Sequence, residues 1–190
     1  DDLAKAYHDT IQHFYDLGAR YVQLDDTTWG YLIQQFENEK NNPEKTAELA
    51  KIAEDDVYTI NKALEGLPED LTFEGGYDSV AKYLGQLNYD IFFLEYDDAR
   101  SGSFAPLPTI WNNRDHVELV LGVITSKDPA LEDVDAVIAR IHEAAELVPL
   151  KNLGISTQCG FASTEEGNIL TEQDEWNKLQ LIKAITDKVW

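Results

Sequence analysis

Apolar positions along the chain switch repeatedly between two periods. Leu3, Tyr7, Ile11, Phe14 and Leu17 recur at spacings of three and four, which predicts a helix over residues 2–17 with Gly18 as its C′ residue. A short apolar strand follows, Tyr21-Val22-Gln23-Leu24, ending in Asp25-Asp26; Thr27-Thr28-Trp29-Gly30 then reads as a loop or helix start. Asn42 and Pro43 open a second helix that Gly66 and Pro68 stop, with Leu49, Ile52, Ala53, Val57, Ile60 and Leu64 as its inward stripe. Asp70 to Phe73 reads as a strand running directly into Glu74-Gly75-Gly76 and a helix through Tyr77, Val80, Ala81 and Leu84.

Ile91-Phe92-Phe93-Leu94 is continuously apolar, as in a strand buried on both faces, and ends in Glu95-Tyr96-Asp97-Asp98. A Gly-, Ser- and Pro-rich loop spans Ser101 to Pro108. Val117 to Ile124 is the next strand, ending in Thr125-Ser126-Lys127. A helix is expected from Asp128-Pro129 to Pro149, with Leu131, Val134, Ile138, Ile141 and Ala145 inward. Lys151 to Gln158 reads as a strand that presents Cys159-Gly160. Thr171 with Asp174 resembles a capping box for a last helix with the stripe Trp176, Leu179, Ile182, Ile185 and Val189.

Alternating strands and helices predict a parallel sheet, and the polar residues gather where strands end. In a (βα)8 TIM barrel that is the catalytic face. About five strands are legible, so the expectation is an α/β fold in which this chain supplies the C-terminal part of a barrel; an open doubly wound sheet is the alternative. Residues 1–190 are expected to form one catalytic-type barrel domain, incomplete at its N-terminus. The chain contains no methionine, which also suggests a fragment.

Composition narrows the function classes. A net charge of -21 opposes nucleic acid or an anionic membrane as partner and is explained by solubility. No run is long and apolar enough to span a membrane, and Asp1-Asp2 leads into an amphipathic helix rather than a signal peptide. One cysteine excludes an internal disulfide, so the expected setting is reducing and cytoplasmic.

Three strand ends carry candidate chemistry. A lone Cys159 is most simply a buried small hydrophobe, but its place after a strand also suits a nucleophile or a metal ligand. A nucleophile wants a histidine base, and His8, His13, His116 and His142 lie in helices or at the entry end of a strand. Glu95 ends a very apolar strand, where a carboxylate must pair, bind metal, move protons or reach solvent. Asp25 and Asp26 share that ambiguity, and only one of them can face inward. Two rim carboxylates would also suit a glycosidase. Gly75-Gly76 lacks the lysine and spacing of a phosphate loop. Trp29, Trp111 and Trp176 read as packing or pocket walls.

Gln23-Leu24-Asp25-Asp26-Thr27-Thr28-Trp29-Gly30, Phe93-Leu94-Glu95-Tyr96-Asp97-Asp98-Ala99-Arg100-Ser101-Gly102 and Gln158-Cys159-Gly160-Phe161-Ala162 together resemble the cobalamin-independent methionine synthase family, most of all its short, single-barrel bacterial members. The resemblance runs in order from near residue 1 to Trp190 and covers the C-terminal half of such a protein. It implies a (βα)8 barrel, a zinc cofactor and transfer of a methyl group from a methylated folate to homocysteine, giving methionine. Cys159 would be the last zinc cysteine and Glu95 the zinc glutamate. Asp25 would bind the amino group of homocysteine.

Two departures stand against that pattern. The family's His-x-Cys ligand pair should follow the strand at Leu71, yet Phe73 is followed at once by Glu74-Gly75-Gly76, so a segment is expected to be missing between Phe73 and Glu74. Near Thr125, where the full-length enzymes carry a catalytic histidine, this chain has Thr125-Ser126-Lys127. The net charge also sits poorly with a polyglutamated folate and leaves another methyl donor open. A barrel hydrolase using Asp25 and Glu95, and a non-catalytic fragment, are the alternative readings.

Overall fold

Local sequence chemistry sets most element boundaries in the computed structural model. The structure describes residues 1–24, 28–68, 70–74, 80–97, 103–162 and 167–190, the strand at 72–74 by its backbone alone. Contacts divide the chain into two units, one of residues 1–92 and 109–117, the other of 93–108 and 118–190.

The first unit opens with α1 (Asp2–Asp16) and β1 (Tyr21–Gln23), then α2 (Thr28–Asn38), α3 (Pro43–Leu64), β2 (Thr72–Glu74) and α4 (Ala81–Leu84). Gly18 takes a φ of 106° past the end of α1, the left-handed geometry that a C′ glycine adopts without strain. Asn42 caps α3 by accepting from the Lys45 amide, and Pro43 occupies the first turn. β1 pairs in parallel with β2, Tyr21 opposite Thr72, and β2 meets the start of β3 (Ile91–Glu95) at Glu74 and Ile91.

Three sequence expectations change here. α2 was not foreseen beyond its first residues, although Trp29 and Leu32 are buried on it. The inward row of α1 is Ala4, His8 and Ile11, whereas Leu3, Tyr7, Phe14 and Leu17 are exposed. His8 belongs to that row because its Nδ1 lies 2.9 Å from the Ala63 carbonyl at the end of α3. In α3, Ile52 is exposed, while Leu49, Ala53, Val57, Ile60 and Ala63 are buried.

The second unit holds the remainder of β3, then β4 (Glu118–Ile124), α6 (Val134–Ala145), β5 (Leu153–Thr157) and α7 (Glu172–Val189); α5 (Leu107–Trp111) lies across the division in sequence. In each unit the strands neighbour one another in chain order. β4 pairs in parallel with β5, Leu119 opposite Leu153, with an irregularity between Gly122 and Ile124. β4 is buried from Leu119 to Ile124 and forms the spine of this unit. β3 alternates instead, with Phe92 and Leu94 buried and Phe93 exposed, so only one face of it is fully covered.

The helices of this unit begin where side chains can cap them. α6 starts at Val134, not at Asp128-Pro129, because Asp133 accepts from the Ala136 amide. Asp128 instead accepts from the Ala130 amide within the preceding loop. The inward row of α6 is Val137, Ile141 and Ala144, and Leu131 is exposed. Thr171 and Asp174 form the expected capping box on α7. The inward row of α7 is Lys178, Leu181 and Ile185, with Trp176 and Leu179 exposed.

These five parallel strands with intervening helices establish an α/β fold; they do not by themselves make a closed barrel of eight.

Candidate functional site

Glu95 and Cys159 meet in the second unit. β3 delivers Glu95 as its last residue, and Cys159 stands two residues beyond Thr157, the last of β5. The strand between them, β4, carries Gly122 at the level where both leave the sheet. A Cβ there would stand 3.1 Å from the Gln158 Cα and 3.2 Å from the Leu94 and Thr157 carbonyl oxygens. The absence of a side chain therefore lets β3 and β5 close up beside β4 at this point. Two backbone bonds continue the closure, from the Tyr96 amide to the Gly122 carbonyl at 2.9 Å and from the Gln158 amide to the Ile124 carbonyl at 2.7 Å.

The Cys159 thiol donates toward Glu95 Oε1, with Sγ 3.5 Å away. Gln158 Nε2 donates to the same sulfur at 2.8 Å. The buried Ser126 hydroxyl lies 3.4 Å from Gln158 Oε1, and Asn168 Nδ2 donates to the Ser126 carbonyl at 2.9 Å and the Gly160 carbonyl at 3.3 Å. Burial, and next the charge of the Glu95 carboxylate, push the Cys159 thiol up from 9.0 to about 11; Lys127 and the Gln158 hydrogen bond act in the opposite direction. Cys159 is thus a protonated thiol at neutral pH in the absence of metal, which disfavours it as a free nucleophile. The thiol hydrogen-bonds to Gln158 and Glu95, and neither is a histidine base.

The donor set suits one edge of a zinc site. Zinc–sulfur and zinc–carboxylate bonds at tetrahedral angles put the two donor atoms about 3.5 Å apart. The observed Sγ to Oε1 separation is 3.5 Å. Thiolate and carboxylate are both zinc donors. The edge is not a full shell: no group of three or more His, Cys, Asp or Glu able to hold a metal is present among the described residues.

Asp25 lies outside the described residues, as do Asp26, Gly75-Gly76 and Asp98. The neighbouring Gln158, Ser126 and Asn168 were not singled out from the sequence. Only the position of Gln158 beside the cysteine hinted at a role. Ser126 was marked as departing from the family pattern without a function of its own.

No protein-family model matches the chain. It is 44% identical to the uncharacterised Bacillus subtilis proteins YxjG and YxjH over all of its length and 53% and 54% of theirs. It is 28% identical to the 2-hydroxypropyl-CoM lyase of Xanthobacter autotrophicus, over 96% of this chain and 55% of that one. Among solved structures it superposes with TM-score 0.76 and 39% identity on a Listeria monocytogenes protein assigned as a vitamin-B12-independent methionine synthase, covering 98% of this chain and 54% of that one. A Shewanella B12-independent methionine synthase, solved with selenomethionine, shares the fold at TM-score 0.67 and 18% identity, over 98% of this chain and 53% of that one.

The chain spans about half the length of the relatives it matches. The alignment with YxjG extends over 210 positions whereas the chain has 190 residues, so YxjG contains stretches with no counterpart here. The chain has the fold of B12-independent methionine synthase-like proteins.

Proposed function

We propose that the chain is the C-terminal part of a zinc-dependent methyltransferase that methylates the thiol of homocysteine to give methionine, with a methylated folate as donor. The observation that carries this reading is the 3.5 Å approach of Cys159 Sγ to Glu95 Oε1 at neighbouring strand ends. That pair supplies one sulfur and one oxygen donor. The remaining donors are assigned to a His-x-Cys segment absent between Phe73 and Glu74. The alignment with YxjG spans 210 positions against 190 residues here, which leaves room for such a segment.

Bound zinc would supply Lewis acidity that lowers the pKa of a coordinated thiol. The chain's own residues do the rest. Glu95 accepts the hydrogen bond from the Cys159 thiol. Gln158 donates to the sulfur, and the Ser126 hydroxyl lies against the Gln158 carboxamide. Asp25 is assigned to the substrate ammonium, which a carboxylate grips through charge-assisted hydrogen bonds.

The test is made on the protein expressed from its complete gene. Wild type should bind about one zinc per chain, as a four-ligand site requires. It should also methylate homocysteine, assayed with mono- and polyglutamated methylfolates side by side. Cys159→Ser should lose both zinc and activity. Retention of both would overturn the ligand assignment. Glycoside hydrolysis that survives chelation would favour the hydrolase instead.

A further inference from the structure

Lys178 is fully buried on the inward row of α7, a position where helix periodicity calls for an apolar residue. Its Nζ lies 3.0 Å from each Glu132 oxygen and also donates to the Ala130 carbonyl. A buried ion pair is a poor choice for stability alone, because well-packed apolar residues of similar volume do as well or better. The pair does something that apolar residues cannot. Glu132 Oε1 accepts from the Thr125 amide at 2.9 Å, at the first residue past β4. The Glu132 carboxylate therefore ties the two ends of the loop from Thr125 to Glu132 together, and the Lys178 ammonium holds that carboxylate.

That loop carries Ser126, itself fully buried, beside the Gln158 carboxamide that holds the Cys159 sulfur. Asn168 fastens the Ser126 carbonyl to the Gly160 carbonyl on the far side of the cysteine. Direct contacts thus run without interruption from Lys178 through Glu132, Thr125, Ser126 and Gln158 to Cys159. We propose that Lys178 and Glu132 are positioning residues for Cys159, acting through the Thr125 amide. This deepens the function proposed above and rests on its reading of Glu95 and Cys159 as the working pair.

The test compares two neutral double variants, Lys178→Met/Glu132→Gln and Lys178→Met/Glu132→Leu. Both remove the ion pair and keep similar volume, but only glutamine still offers an oxygen to the Thr125 amide. The readout is the rate of iodoacetamide alkylation of Cys159 in chelator-treated full chain, followed by the mass of its peptide. The glutamine variant keeps an oxygen for the Thr125 amide but not the ammonium behind it, and its rate should lie between those of wild type and the leucine variant. The leucine variant, in which the hold on the Gln158 carboxamide is lost, should react at a rate that differs from wild type by about threefold or more, the factor expected from loss of one hydrogen bond.

Equal rates in the two variants would overturn the proposal, since a packing role predicts no split. Should the leucine variant not fold, Glu132→Met beside Lys178→Met takes its place, being unbranched and closer in length. The readout needs neither metal nor methyl transfer. A failure here is therefore separate from a failure of the zinc reading, which the metal content of Cys159→Ser decides.

Discussion

The described ion pairs of the two units differ in burial. In the unit of residues 1–92 and 109–117, Lys5–Asp9, Lys40–Glu37, Lys45–Glu48, Lys51–Asp55 and Lys62–Glu65 pair within single helix turns or at helix ends, and Arg20–Asp70 pairs across a short gap; every partner is at least 45% exposed. In the other unit, Lys183–Asp187 follows the same pattern, but Lys178–Glu132 is inside, with the lysine fully buried. The exposed pairs are screened and solvated, so they decorate helices whose packing is set elsewhere. The buried pair is directional and costly to break, and it sits on the loop beside Cys159. Among the described ion pairs, the one with a fully buried member is therefore the one whose carboxylate lies on the loop beside Cys159.

The sharpest way to break this comparison is Lys178→Met alone. Removing one partner strands Glu132, whose side chain is only 20% exposed, without its counter-ion. Loss of one member of a buried pair costs about 3–5 kcal/mol, and urea unfolding should show a fall of that size. A change near zero would mean that Glu132 reaches water in solution and that the two classes of pair do not differ.

A second, smaller effect concerns the thiol. In the folded state the Cys159 pKa is raised from 9.0 to about 11, so the folded protein holds that proton more tightly than the unfolded chain does. The linked stability is complete below about pH 9 and is lost as pH rises through about 11. Urea midpoints of wild type should fall over that window relative to those of Cys159→Ser, whose hydroxyl does not titrate there. Parallel profiles would show that the sulfur is neither buried nor beside Glu95, and the contrast between the units would lose its second member.

The same contrast explains what could be read in advance. Capping chemistry was legible because it is local: Asn42 with Pro43, and Thr171 with Asp174, act within one turn, and the structure shows both. Glu95 and Cys159 were legible as strand-end residues because short strands leave little doubt about where they stop. Ile11 and Ile185 are buried as expected, but the rest of the inward rows of α1 and α7 was misread for one shared reason. Each contains a polar residue, His8 or Lys178, that is satisfied by a partner far away in sequence, Ala63 or Glu132. Apolar periodicity has no means of seeing such a partner, so it shifts to the neighbouring stripe of larger residues. The start of α6 was displaced because Asp128-Pro129 offers the same start signal as Asp133, and only the loop's own bonds decide between them. The positioning residues around Cys159 were hidden for the same reason as Lys178, since each acts on a group that only the fold brings near.

The smallest expected effect tests the other side of the comparison. Lys51 pairs with Asp55 one turn along α3, with 73% and 67% of the two side chains exposed. An ion pair of this kind gains little in high dielectric and gives up side-chain freedom to form. Alanine is also the best helix former at an exposed position, which offsets what the lost pair contributed. Lys51→Ala should therefore leave the urea midpoint unchanged within error at physiological salt. Raising the salt concentration should move the midpoints of variant and wild type in step, because the pair is already screened. A clear fall in Lys51→Ala, suppressed by salt, would show that the exposed pairs of α3 act as a network. In that case position within the helix, rather than burial, would govern what a charge pair is worth in this chain.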